Sequence, residues 1–179
     1  MGEEKKPQKV KLFFGLLYSD EELLRQTEKR LALDFGDVDY ESPAVSFDQT
    51  HYYEKEMGEG LIRKFISVKP LISPDDIAAV KLHTNRLEKL FGREDGSRAV
   101  NIDPGYLGFS KMVLATTKDY NHRIYLGRKI FAEVTLRYSG KDKSYIPWEW
   151  TYPDYREEFA IEFFNLLRSI YKKQLREET

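Results

Sequence analysis

The chain has 179 residues, of which 41% are hydrophobic and 33% charged, values that fit one domain with its own core and exclude an intrinsically disordered chain. A formal net charge of -1 removes any global electrostatic attraction to nucleic acids or membranes, and the lack of cysteine excludes disulfide scaffolds, thiolate metal sites and cysteine nucleophiles. We therefore expect a cytoplasmic protein with no membrane-spanning segment, no metal and no cofactor.

The chain begins with a charged tail and continues into alternating strand and helix patterns. Residues 1–8 are predicted to be a disordered tail, and residues 9–176 a single domain. Helices are predicted after Ser19, ending at Gly36, and from Ser73-Pro74 to Gly92, because capping residues precede an apolar stripe at helical spacing. Apolar or alternating runs of strand length cover residues 10–18, 37–47, 61–71, 99–102, 111–117, 123–126 and 130–138.

This order of elements predicts an α+β domain. The sheet is expected to be largely antiparallel, with a ferredoxin-like split β-α-β core that is extended by a β-meander and a C-terminal helix. Residues 10–18 and 61–71 are expected to be neighbouring central strands, since both are nearly continuous apolar runs. Asp103-Pro104-Gly105 reads as a turn, and Asp154 with Glu157 as the capping box of the last helix.

A polar loop carries the strongest indication of a binding site. Between residues 110 and 129 there are five lysines and arginines and one acid, Asp119, in a chain that is nearly neutral overall. Thr117, Lys118, His122 and Arg123 supply hydroxyl, ammonium, imidazole and guanidinium donors, the groups that bind phosphate-like anions. The alternative interpretation is a solvated turn whose lysines protect a sheet edge from aggregation.

The strand over residues 130–138 extends this candidate site. Its residues alternate, so that Ile130, Ala132, Val134 and Leu136 are predicted on one face and Phe131, Glu133, Thr135 and Arg137 on the other, which we expect to be exposed to solvent. The second face offers an acid, a hydroxyl and a guanidinium to a ligand bound across it. A cross-strand ion pair between Glu133 and Arg123 is the alternative explanation.

Two other functions remain open at this stage. An enzyme, with or without a metal, could use His51 or His122 with Glu54, Glu56, Glu133 or Asp154 as acid and base. A metal at His51, Glu54 and Glu56 is not expected, because strand alternation would separate the imidazole from both carboxylates. A structural or assembly protein could instead use the aromatic segment from Trp148 to Tyr155 as its interface.

Five distinctive sequence strings occur in one order: FDQTHYYEKEMG at 47–58, VNIDPGYL at 100–107, LATTKDYNHRIYLG at 114–127, AEVTLRY at 132–138 and WTYPDYR at 150–156. Together they resemble an uncharacterised bacterial family, domain of unknown function 4416, from about Lys11 to the last helix. The resemblance implies no catalytic or binding role for any residue.

The sequence thus predicts a binding protein for an anionic ligand, either a small molecule such as a nucleotide or phosphate compound, or RNA. The ligand-binding residues are expected to be Thr117, Lys118, His122, Arg123, Glu133, Thr135 and Arg137.

Overall fold

A computed structural model describes residues 2–48 and 53–177, except for the side chains of Glu54 and Lys55. The described elements, in chain order, are β1 (Val10–Tyr18), α1 (Glu21–Phe35), β2 (Val38–Glu41), β3 (Val45–Ser46), α2 (Glu54–Met57), β4 (Ile62–Ile72), α3 (Ile77–Leu90), β5 (Val100–Leu107), β6 (Lys111–Thr116), β7 (Ile124–Gly127), β8 (Ile130–Ser139), β9 (Ser144–Pro147), α4 (Pro153–Arg156) and α5 (Glu158–Glu177).

One large sheet has the strand order β2-β4-β1-β5-β6-β8-β7, with β3 paired to β4 and β9 to β8. All the described pairings are antiparallel. Strands β1 and β2 therefore run parallel to each other with β4 between them, and α1 connects them. The α+β class and the large antiparallel sheet are confirmed, as is the central pairing of β1 with β4. The ferredoxin-like relationship stays a prediction.

Helices cover both faces of this sheet. Helices α1 and α3 bury one side against Leu12, Phe14 and Leu16 of β1, while α5 buries the other side against Phe13 of β1 and Phe65 of β4. Every residue of β1 is consequently buried, and this explains why its sequence is almost entirely apolar instead of alternating, with Lys11 as the charged exception.

Several local predictions were wrong at element boundaries. Asp20, not Ser19, caps α1, since its carboxylate accepts a hydrogen bond of 2.7 Å from the backbone N–H of Leu23. Asp103-Pro104-Gly105 is not a turn but part of β5, and the pairing of β5 with β6 begins only at Gly105, one residue after the proline that cannot donate. The predicted strand 37–47 is divided into the short strands β2 and β3.

Gly127-Arg128-Lys129 forms the turn between β7 and β8, which correspond to the predicted strands over residues 123–126 and 130–138. Strands β7 and β8 meet there, and Arg128 and Lys129 both have positive φ angles, 55° and 63°. This is the conformation that a tight hairpin turn requires of its central residues. Across the described residues, no helix has the length and apolar character needed to cross a membrane.

Candidate functional site

A cavity of about 650 Å³ lies on the α5 side of the sheet, where β5 and β6 diverge beyond their short paired segment. Side chains from strands, helices and loops line it: Phe47, Tyr53, Arg63, Lys81, Arg98, Asn101, Asp103, Leu114, Ala115, Thr116, Thr117, Lys118, Arg123, Glu133, Tyr152, Pro153, Asp154 and Tyr155. Among the described residues, five of these side chains are cationic and three are acidic, so this part of the wall carries a local positive excess that the whole chain lacks.

Strands β4 and β5, which lie on either side of β1, contribute Arg63, Asn101 and Asp103 to the floor of this cavity. Gly15 of β1 lies directly between Phe65 of β4 and Asp103 of β5. Two residues further along β1, on the same face of the sheet, Leu17 lies between Arg63 and Asn101. Because Gly15 has no side chain, neighbouring groups can approach the sheet closely. A β-carbon at this position would lie 2.6 Å from the Tyr155 hydroxyl oxygen and 3.4 Å from Arg63 Nη1.

Arg63 is a buried cation held between two acids. Its Nε lies 2.8 Å from Asp154 Oδ2, and its Nη1 lies 3.6 Å from Asp103 Oδ2. Burial opposes the charge of the guanidinium, but Asp154, Tyr155 and Asp103 outweigh burial and keep the pKa of Arg63 above its ordinary value. Burial raises the pKa of the Asp154 carboxyl group, and the attraction of Arg63 offsets this rise only in part.

Two more cationic side chains line the cavity: Lys81 of α3 and Arg98 of the segment before β5. The ammonium group of Lys81 donates a 3.0 Å hydrogen bond to the Ile102 carbonyl and lies 3.8 Å from Asp103 Oδ1. Arg98 donates two hydrogen bonds to the carboxylate of Glu56, at 2.8 and 2.7 Å, and a third of 2.8 Å to Asn101 Oδ1. The pKa of Glu56 is lowered, chiefly by its hydrogen bonds with Arg98.

The predicted polar loop forms the basic rim of the cavity. Thr117, Lys118 and Arg123 line it together with Glu133 of β8. Arg123 does not project freely into solvent: its Nε donates to Glu133 Oε2 at 2.8 Å, and its other nitrogens donate to the Lys118 carbonyl at 3.0 Å and the Tyr152 hydroxyl at 2.7 Å. The ion pair with Glu133, the alternative explanation for these charges, is therefore present.

His122 also contacts the carboxylate of Glu133. Its Nε2 lies 3.0 Å from Glu133 Oε2, and its ring stacks on Trp150 with 5.2 Å between ring centroids. Trp150 in turn stacks on Trp148, over which the guanidinium of Arg137 lies at 4.8 Å. Neither His122 nor Arg137 lines the cavity.

The prediction of a solvent-exposed face on β8 holds for Arg137, which is exposed, but was wrong for Glu133 and Thr135. Glu133 and Thr135 are buried, and Thr135 donates a 3.2 Å hydrogen bond to Glu133 instead of facing a ligand. Glu133 is covered by His122 and Arg123, and a β-bulge interrupts the alternation after it: Val134 pairs with Val113 and Leu136 with Met112, which leaves Thr135 as an extra residue. Ile130 therefore packs against the α1 and α3 side, whereas Leu136 packs against the α5 side.

Sequence patterns missed several residues of the cavity, chiefly Arg63, Arg98 and Asp103. The sequence feature that could have indicated Arg63 is its position: this charged residue lies just before a mostly apolar, buried stretch of β4. The expected capping role of Asp154 is also wrong, because this residue lies within α4 and faces Arg63.

The prediction that His51, Glu54 and Glu56 do not hold a metal stays a prediction. His51 lies outside the described residues, as does the side chain of Glu54. Elsewhere in the described chain, no group of three or more histidine, aspartate or glutamate side chains is arranged to hold a metal ion.

A family model described as Domain of unknown function (DUF4416) matches residues 8–171 of the chain. No curated protein matches the sequence, and no solved structure matches it. These comparisons assign no role to any residue.

Proposed function

The chain belongs to the DUF4416 family, a domain of unknown function, and we propose that its cavity binds a small anionic ligand. The observation that carries this proposal is the convergence of five cationic side chains from separate parts of the fold on one cavity, against three acids. In a partly buried site, charge-assisted hydrogen bonds to an anion contribute roughly 1.5–3 kcal/mol each.

The dimensions of the site favour a small molecule over RNA. A volume of about 650 Å³ falls in the range of small-molecule pockets, whereas a nucleic acid requires an extended basic surface. Phe47 and Tyr53 provide an aromatic wall, with 6.0 Å between their ring centroids. A phosphate-bearing molecule with an organic portion would use the basic rim and this wall together.

Titration calorimetry with inorganic phosphate, AMP and a short RNA tests this proposal. The wild type is compared with a Lys118→Gln, Arg123→Gln double variant, in which glutamine still reaches hydrogen-bond partners but the two charges are lost. We expect AMP affinity to fall about tenfold to a hundredfold in the double variant, and wild-type affinity to fall as salt concentration rises.

The matched control is a Lys172→Gln, Arg176→Gln variant, which removes the same charge from exposed positions near the end of α5. Its affinity for AMP should equal that of the wild type. Equal binding by both double variants, or no binding of any small anion below millimolar concentration, would show that the cavity is not an anion site. Binding of RNA alone, unaffected by Lys118 and Arg123, would exclude the anion site as well.

A further inference from the structure

We propose that Arg63, Asp154 and Asp103 on the cavity floor receive a hydroxyl group of the same ligand, which makes the ligand class a phosphate ester of a polyhydroxy compound such as a sugar. This inference rests on the proposed function, since it concerns a second part of the same anionic ligand. The rim of the cavity would then bind the phosphate group of the ligand, and the floor would bind its hydroxyl group.

The hydrogen bonding of the floor is incomplete. Within the described residues, Nε and Nη1 of Arg63 and Oδ2 of Asp154 are buried and have no aligned hydrogen-bond partner, although the two side chains are in ion-pair contact at 2.8 Å. The side chains of Arg63 and Asp154 are only 4% and 7% exposed. Nη1 of Arg63 is 3.6 Å from Asp103 Oδ2, too far for a hydrogen bond, and leaving such a buried donor unsatisfied costs roughly 1–3 kcal/mol, so a polar group in the cavity that accepts from it would be stabilised.

The floor of the cavity presents both hydrogen-bond donors and acceptors, and this mixture favours a ligand group that can donate and accept. A guanidinium can only donate, and an ionised carboxylate can only accept. A hydroxyl group does both, so it can donate to Asp154 while it accepts from Arg63. A phosphate dianion has no proton to donate, and Asp154 and Asp103 would both repel it.

The phosphate therefore belongs at the rim. Lys118 and Arg123 are there, with Glu133 as the one acidic side chain that the described residues contribute to that part of the cavity, and Thr116 and Thr117 line it as well. On the floor, by contrast, two carboxylates flank Arg63. This separation orients the ligand, with its ester end at the rim and its hydroxyl groups toward β1 and β4.

Two phosphate monoesters separate the contribution of the hydroxyl groups from that of the phosphate. Ribose 5-phosphate carries hydroxyl groups, and ethyl phosphate has none. We expect the wild type to bind ribose 5-phosphate about tenfold or more tightly than ethyl phosphate, the equivalent of one or two hydrogen bonds. Asp154→Asn and, separately, Asp103→Asn should reduce this ratio toward one, whereas Lys118→Gln should weaken both ligands and preserve the ratio.

The outcomes distinguish the two proposals. Equal affinity of the wild type for the two esters overturns the hydroxyl site but leaves the anion site intact, and so does an unchanged ratio in both aspartate variants. Absence of binding by either ester overturns both. Thermal unfolding of each variant verifies folding, and if one aspartate variant does not fold, the ratio in the wild type and in the other variant decides the matter.

Discussion

Arg63 illustrates how one residue can determine both the architecture and the chemistry of a site. A guanidinium that is almost entirely removed from water must be compensated by nearby acids, and Asp154 and Asp103 provide that compensation from α4 and β5. The same arrangement places unsatisfied polar atoms at the base of a cavity.

The raised pKa of Asp154 predicts an unusual pH dependence of stability. An aspartate whose pKa is higher in the folded than in the unfolded state stabilises the fold most below its unfolded pKa of about 3.9, and that contribution is lost as pH rises through the folded pKa. The stability of the wild type relative to Asp154→Asn should therefore decrease as pH rises from about 3.5. Chemical denaturation of both proteins across pH measures this, and a relative increase would show that the ion pair with Arg63 dominates burial.

Gly15 should not tolerate even the smallest side chain. In Gly15→Ala, the new methyl group would lie 2.6 Å from the Tyr155 hydroxyl oxygen and 3.2 Å from a Phe65 ring carbon, so neighbouring groups on the floor must move. We expect a loss of about 1–3 kcal/mol in the free energy of unfolding. Gly140→Ala is the control, since no atom lies within 4 Å of the position that its methyl group would take, and comparable losses in the two variants would contradict the packing argument.

At the scale of elements, the bulge in β8 connects the sheet to the segment before α4. Strands β7 and β9 both pair with β8, but their described pairings leave residues 133–135 without a strand on the outer edge. Trp150 Nε1 donates to the Val134 carbonyl at 3.0 Å, and the Thr151 hydroxyl donates to the Thr135 carbonyl at 2.6 Å. Side chains thus complete the backbone hydrogen bonding that a strand would otherwise supply.

Replacing Thr151 should weaken this connection. Its hydroxyl also accepts a 2.8 Å hydrogen bond from the Trp148 backbone, so Thr151→Val leaves two buried backbone groups without their partner. We expect a loss of roughly 1–3 kcal/mol, measured by urea denaturation. Thr117→Val, at an exposed position, should change stability by less than about 0.5 kcal/mol, and a similar effect at both sites would argue against a role of the bulge.

The Arg123 and Glu133 pair joins the polar loop to β8. Their side chains are 7% and 1% exposed, so removing one charge leaves the other largely buried. Arg123→Met should cost about 3 kcal/mol, and the added change Glu133→Leu should recover part of that loss. A double-mutant cycle by chemical denaturation measures the coupling, which should exceed that of the exposed Glu22 and Arg25 pair; equal couplings would contradict the claim.

At the scale of the whole molecule, the cavity draws its walls from parts of the chain that are far apart in sequence. Phe47 precedes β4, Lys81 lies on α3, and Asp154 lies on α4 beyond the last strand. A ligand bound there would connect elements from both sides of the sheet. Binding should therefore stabilise the fold as a unit instead of one local segment.

Thermal unfolding tests this expectation. Ribose 5-phosphate at about a hundred times its dissociation constant should raise the free energy of unfolding by about 2.7 kcal/mol, which corresponds to an increase in Tm of roughly 5–10 °C for a domain of this size. The increase should shrink in high salt and in the Lys118→Gln, Arg123→Gln variant at the same ligand concentration. An increase of equal size in that variant would place the bound ligand elsewhere.

Local sequence patterns determined the elements that depend on neighbouring residues. The strand over residues 10–18, the helix that begins after Ser19 and the strands over 123–126 and 130–138 all follow from short-range preferences, and the structure has each of them at nearly the predicted position. The polar loop was also recognised from its local charge. Of the seven predicted ligand-binding residues, four line one cavity: Thr117, Lys118, Arg123 and Glu133.

Only the tertiary structure decided which charges meet. Arg63, Asp103 and Asp154 lie 40 and 51 positions apart along the chain, and they converge because antiparallel register and the placement of α4 bring β4, β5 and α4 together. Strand alternation likewise failed at Thr135, because one extra residue in a bulge moves the following side chains to the opposite face. A period of two is a local property, whereas a bulge is specified by the strand across from it, and that partner is known only once the sheet has formed.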